Sequence, residues 1–258
     1  MNQPHTGIAE QINGTLQKTQ ALFVIPKKLQ IFSGSALKVI AVISMLIDHI
    51  GFIFIKPDAF VLLSVFGKQI TLYWVMRFIG RMAFPIFAFL LVEGAWYTRN
   101  RLRYGLNLCI FALLSEVPWD LLFYGKWFTF QKQNVFFTLL LGYIAICLYE
   151  KFKGRFVLQA GVLAGLFAVA VVLRADYSYA GYVFILLVYA LQNHRLVQAL
   201  VAASGLLPFG IKPVIAYVPL MLYNGKRGFI HGKVLKYAFY AFYPLHMLAL
   251  FLIRMYLG

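Results

Sequence analysis

An all-α bundle of about nine transmembrane helices (eight to ten), with its N-terminus in the cytoplasm, is the fold the sequence predicts. Three observations carry this expectation. The chain is 62% hydrophobic and only 12% charged, whereas a soluble domain is nearer half apolar and a quarter charged. Its apolar residues run in separate long stretches, not in the short period-two alternation of barrel strands. Its basic residues cluster in short loops between those stretches, as lysine and arginine do on the cytoplasmic side of a membrane.

The elements follow in order. The first 20 residues are polar, and the early apolar run ALFVI (21–25) is short and ends at Pro26, so no cleavable signal peptide is evident. Residues 1–35 are assigned to a cytoplasmic or interfacial tail and 36–258 to the transmembrane domain. A spanning helix needs roughly 17–25 apolar residues. The candidates are 36–55, 73–97, 104–124, 134–150, 156–173, 178–192, 196–209, 213–223 and 237–257. The seventh and eighth are short and interrupted by Pro208, Pro213 and Pro219. Residues 59–70 are too short to span and are expected to be interfacial.

The loops test this count. With the N-terminus inside, the inner loops read RNRLR (99–103), KFKGR (151–155), NHR (193–195) and NGKRGFIHGK (224–233). The alternate loops include KPD (56–58), YGKWFTFQKQN (124–134) and RADYS (174–178). The basic clusters fall on one side, and the C-terminus is expected outside. The formal charge of +16, from 24 Lys and Arg against 8 Asp and Glu, therefore reads as topology and not as nucleic-acid binding. Cys109 and Cys147 lie inside apolar runs and form no metal or disulfide pattern.

The acids carry the strongest functional signal. Glu10, Asp58 and Glu150 lie in the tail or at loop edges. Asp48, Glu93, Glu116, Asp120 and Asp176 lie within spans or at their outer ends. A charge at the bilayer centre costs about 3 kcal/mol on insertion scales, so such residues face a cavity or a partner. At 1.5 Å per residue, His49 lies roughly 20 Å from the inner end of its span. Arg77, Arg81, Glu116, Asp120, Asn134 and Asp176 fall at similar outer depth, Glu93 nearer the cytoplasm and His246 near mid-membrane.

Spacing sharpens the picture. Asp48 and His49 are adjacent, so on a helix they point about 100° apart and each needs its own partner. Arg77 and Arg81 are i,i+4, as are Glu116 and Asp120. Set opposite each other these pairs would form a two-plus-two network, with Asp48 and Asp176 at its edge. The plainer reading is that the charged set only fixes helix register and that the histidines are satisfied core residues. An imidazole titrates near neutrality and needs no opposite charge, so His49 suits proton transfer. No short metal-ligand motif is present, and no metal is expected. Trp74, Trp96, Trp119 and Trp127 fall near span ends, as interfacial tryptophans do.

Six ordered blocks, LKVIAVISMLIDHIG (37–51), RFIGRMAFPIFAFLLVEG (77–94), SEVPWDL (115–121), QNVFFTLLLG (133–142), ADYSYAGY (175–182) and YAFYPLHML (240–248), resemble the TraX family. That family comprises bacterial inner-membrane proteins and takes its name from N-terminal acetylation of conjugative pilin. It is distantly similar to the multi-spanning acyltransferases that modify surface glycans and to the lysosomal heparan N-acetyltransferase. The resemblance implies acyl transfer with acetyl-CoA or another acyl-CoA as donor, in contact with membrane lipid. A pilin N-terminus or a surface glycan would be the acceptor.

On that reading the CoA phosphates meet the basic loops at Arg99, Arg101, Arg103, Lys226 and Arg227. His49 is the general base, with His246 the competing candidate, and Asp48 orients polar groups. Arg77, Arg81 or Asn134 stabilise oxyanion charge, and Glu93 and His246 line the passage between the two sides. Two other classes stay open: a proton-coupled transporter or flippase, and a non-catalytic assembly factor for a pilus or other envelope structure. CoA release that depends on His49 separates the enzyme from both.

Overall fold

The computed structural model describes residues 25–65, 68–192, 198 and 212–257. Nine helices and one hairpin are placed there. They are α1 (Gly34–Phe54), β1 (Val61–Val65), β2 (Lys68–Thr71), α2 (Leu72–Gly80), α3 (Ala83–Tyr97), α4 (Arg101–Tyr124), α5 (Val135–Lys151), α6 (Phe156–Leu173), α7 (Ser178–Ala190), α8 (Tyr217–Met221) and α9 (Gly232–Leu257). Short polar side chains start several of them. Ser33 Oγ accepts from Ala36 N–H, Thr71 Oγ1 from Trp74 N–H, and Asn100 Oδ1 from Arg103 N–H, each satisfying a donor that the helix leaves free. Gly125, at φ 64°, closes α4 in the left-handed conformation that glycine adopts without strain.

Five helical segments are long and apolar enough to cross a membrane: Gly34–Phe54, Leu72–Tyr97, Arg101–Tyr124, Phe156–Leu173 and Gly232–Leu257. The protein is a helical membrane protein. Nine spans is more than these described residues provide. The predicted span at 213–223 is a 3-10 turn, Lys212–Ala216, followed by the five-residue α8. The helical residues described there are too few to cross a membrane by themselves. The predicted span at 196–209 lies outside the described residues, save for residue 198. The region 59–70, expected to be interfacial within an all-α fold, contains the antiparallel hairpin β1–β2.

The predicted continuous helix 73–97 is broken after Gly80. Pro85 explains this. It has no N–H to donate to the Arg81 carbonyl, and its ring would collide with that carbonyl in an unbroken helix. The break places Arg81 at the C-cap of α2.

Cross-links between elements define two ends. At one, Arg101 pairs with Glu150, Tyr189 OH donates to Glu150 at 2.8 Å, and Gly34 N–H and Ser35 Oγ donate to the carbonyls of Lys226 and Arg227. This end gathers the basic loops 99–103, 151–155 and 224–233. At the other, Lys132 meets Asp176 at 2.7 Å, Gln133 pairs with Ala175, and Arg254 donates to the Leu122 carbonyl. Helices α4 and α9 run parallel, since Tyr237 contacts Asn107 near one end and Arg254 contacts Leu122 near the other. Residue 257 thus lies at the end opposite the basic loops.

The core joins α1, α3, α4, α5, α7 and α9, with Ala41, Ala88 and Ala112 fully buried between helices. Small residues let helix backbones approach closely where lipid offers no hydrophobic drive to association. Gly80 is the tightest such contact, because a Cβ there would fall on the Asp48 carboxylate. Gly80→Ala is expected to destabilise the protein by about 1–3 kcal/mol, as overpacking does. A detergent melting curve unchanged from wild type would contradict this packing.

Candidate active site

Helix α1 delivers Asp48 and His49 to different neighbours, as their angular separation requires. Asp48 Oδ2 accepts from Arg77 at 2.6 Å, and both side chains are 14% exposed. The Arg77 guanidinium also lies over the Phe52 ring, 5.0 Å from its centre. His49 is buried, and its Nδ1 lies 2.7 Å from His246 Nε2. The two rings are parallel within 3° with centres 5.0 Å apart. That separation is the N···N distance plus two ring radii, so the rings meet edge to edge in one plane, the geometry of a linear hydrogen bond.

The direction of this bond is fixed from its far end. His246 Nδ1 lies 2.9 Å from the Phe242 carbonyl oxygen. A carbonyl only accepts, so Nδ1 of His246 carries the proton. In the neutral ring Nε2 is then the acceptor, and His49 Nδ1 must donate to it. The remaining His49 nitrogen, Nε2, is left with its lone pair and makes no hydrogen bond among the described residues. Phe123 meets the His49 ring edge-on at 5.5 Å and helps hold it.

His49 lines a cavity of about 270 Å³. Asp48, Arg77, Arg81, Lys132, Asp176 and Tyr177 also line it, with Trp119, Phe123, Tyr124 and Tyr243 among its aromatic wall. The cavity sits toward the end opposite the basic loops. His49 is fifteen residues beyond Gly34, about 22 Å along the helix.

The turn before α7 supplies one side of the cavity. Arg174, Tyr177 and Ser178 all have positive φ, at 50°, 62° and 46°, which costs a non-glycine residue energy and persists where surrounding contacts enforce it. Here Asp176 N–H donates to the Gln133 carbonyl, Thr138 Oγ1 donates to the Asp176 carbonyl, and Lys132 holds the Asp176 carboxylate. The strained turn points Tyr177 at Arg81, whose guanidinium donates to the phenol oxygen at 3.5 Å. Burial pushes the Tyr177 hydroxyl up, so it stays protonated.

The predicted two-plus-two network does not form. Arg77 takes Asp48 and Arg81 takes Tyr177. Glu116 Oε2 is instead held by the side chain and backbone N–H of Asn134, and Asp120 Oδ2 accepts from Thr129 N–H at 2.7 Å. Both acids staple α4 to the segment before α5. Glu116, Asp120 and Asn134 stand outside the cavity wall, and Asn134 is spent on Glu116 and the Ala112 carbonyl.

Of the remaining predicted residues, Glu93 accepts from Tyr223 OH at 3.2 Å, toward the basic end and away from the cavity. Arg99, Arg101, Arg103, Lys226 and Arg227 lie at that basic end, with Arg101 engaged by Glu150. Sequence reasoning gave Lys132 and Tyr243 no role in the site, and Tyr177 only a place in the ADYSYAGY block. Nothing in the sequence set Lys132 apart from Lys126 in the same outer loop.

The TraX protein family matches residues 33–254. The chain is also 28% identical over 253 residues to a protein of Dichelobacter nodosus named "Probable fimbrial assembly protein FimC, serogroup H1", an alignment covering 88% of this chain and 97% of that protein. No solved structure matches the chain. The matched span takes in every helix that builds the cavity, with the Asp48–His49 pair, both arginines and His246 inside it, and this membrane protein belongs to the TraX family.

Proposed function

We propose that the protein is an acyltransferase of the bacterial inner membrane. On this reading it moves an acetyl group from acetyl-CoA to the N-terminal amine of a pilus subunit. The observation that carries the reading is the ordered chain Phe242 carbonyl, His246, His49, which ends in an imidazole nitrogen with its lone pair free at the wall of a cavity. The pilus subunit is favoured over a surface glycan because the relative from Dichelobacter nodosus is named for fimbrial assembly.

The acceptor amine nitrogen attacks the thioester carbonyl carbon. A C–N bond forms, and the amine proton passes to His49 Nε2. The carbonyl oxygen gains negative charge, which donors of Arg77 beyond the one on Asp48 stabilise. Collapse breaks the C–S bond, and the CoA sulfur leaves with the proton from His49. His246 is a positioning residue: it holds His49 in the tautomer whose Nε2 is basic. The basic loops receive the CoA phosphates, so donor and acceptor approach from opposite ends.

The test is CoA release by purified protein given acetyl-CoA and a short peptide with a free N-terminus. Release is expected with this peptide and not with the same peptide already N-acetylated. Failure to bind CoA at all would sink the reading and favour the second one, a pilus assembly factor without catalysis, which the relative's name supports.

A further inference from the structure

Among the described residues, five charged side chains line the cavity: Arg77, Arg81 and Lys132 against Asp48 and Asp176. Two pairs close within it, Arg77 with Asp48 at 2.6 Å and Lys132 with Asp176 at 2.7 Å. Arg81 is the remainder. Its guanidinium makes a 3.5 Å hydrogen bond to Tyr177 and forms no ion pair among the described residues, although Asp48 and Asp176 both act on its charge from further away. Among the described residues the lining therefore carries one cation in excess. A guanidinium is expensive within a membrane unless an anion or a polar cavity compensates it. Its planar fork of N–H donors fits a carboxylate or a phosphate through two parallel bonds.

We infer that the cavity recognises its acceptor through an anionic group, a carboxylate or phosphate, bound by Arg81 beside Tyr177. The group sits on the same molecule as the nucleophile that faces His49. The inference rests on the acyl-transfer reading for the role of that molecule, but the anion site itself does not.

The probes are four dipeptide amides with free N-termini: Ala-Glu and Ala-phosphoserine, with Ala-Gln and Ala-Ser as their uncharged counterparts. Binding to the purified full-length protein is read from tryptophan fluorescence, since Trp119 lines the cavity. Wild type is expected to bind at least one anionic probe roughly tenfold more tightly than its uncharged counterpart, as one charge-assisted contact allows. The stronger of the two identifies carboxylate or phosphate. Arg81→Gln is expected to erase the difference and Arg81→Lys to keep part of it.

Equal binding of charged and uncharged probes by wild type overturns the inference, and this result needs no variant to fold. A preference that survives intact in Arg81→Gln also overturns it. Acetyl transfer to the same probes separates the two claims. Charge-selective binding without transfer leaves the anion site standing and removes the enzyme. Transfer without charge selectivity does the reverse.

Discussion

His49→Ala is expected to lower acetyl transfer by about 10²- to 10⁴-fold, the range for losing a positioned general base. Binding of acetyl-CoA should be nearly unchanged, because the basic loops lie at the far end of the bundle. His246→Ala is expected to give a smaller loss, on the order of tenfold to a hundredfold, as when a partner that orients a reacting imidazole is removed. Without His246 the His49 ring has no acceptor for Nδ1–H, so its proton no longer stays there and Nε2 is no longer reliably basic. The loss should fall on kcat with little change in KM. Equal and complete loss in both variants would contradict the division between base and positioning residue. So would a His246→Ala variant as active as wild type.

Arg77→Ala is expected to destabilise the protein by about 3–5 kcal/mol, the cost of stripping the counter-ion from a largely buried charge. Asp48→Asn alone should cost a similar amount. The double variant Asp48→Asn with Arg77→Ala should recover much of the loss, because it leaves no uncompensated charge. Melting curves of the two single variants and the double variant measure this coupling. Glu116 couples instead to Asn134, so Glu116→Gln should add to Arg77→Ala without compensation. If Glu116→Gln rescued Arg77→Ala, the observed pairing would be wrong and the two-plus-two network right.

These pairings mark the boundary of what the sequence made legible. The apolar runs and basic loops placed the long helices and sorted their ends, because hydrocarbon thickness and the positive charge of inner loops act on composition directly. The divergence of Asp48 and His49 was legible because it depends on one helix alone. Their partners were not: Arg77 and His246 meet them through the relative register of separate helices, which spacing within one segment does not encode. Four charges at i,i+4 made a symmetrical network attractive, but Asn134 satisfied Glu116 from a loop and left Asp48 to Arg77. The break at Arg81 had a local signal in Pro85. The segment 174–178 was legible as a loop, but its strain was not, since Arg174, Tyr177 and Ser178 adopt positive φ without a glycine among them.

Sided transfer tests the central claim most directly. Proteoliposomes of uniform orientation would hold labelled acetyl-CoA on the side of the basic loops and the acceptor peptide on the other. The expected result is label on the peptide, CoA retained on its own side, and loss of both products in His49→Ala. Wild-type protein that binds acetyl-CoA yet releases no CoA, with acceptor supplied on either side, would contradict catalysis by this site.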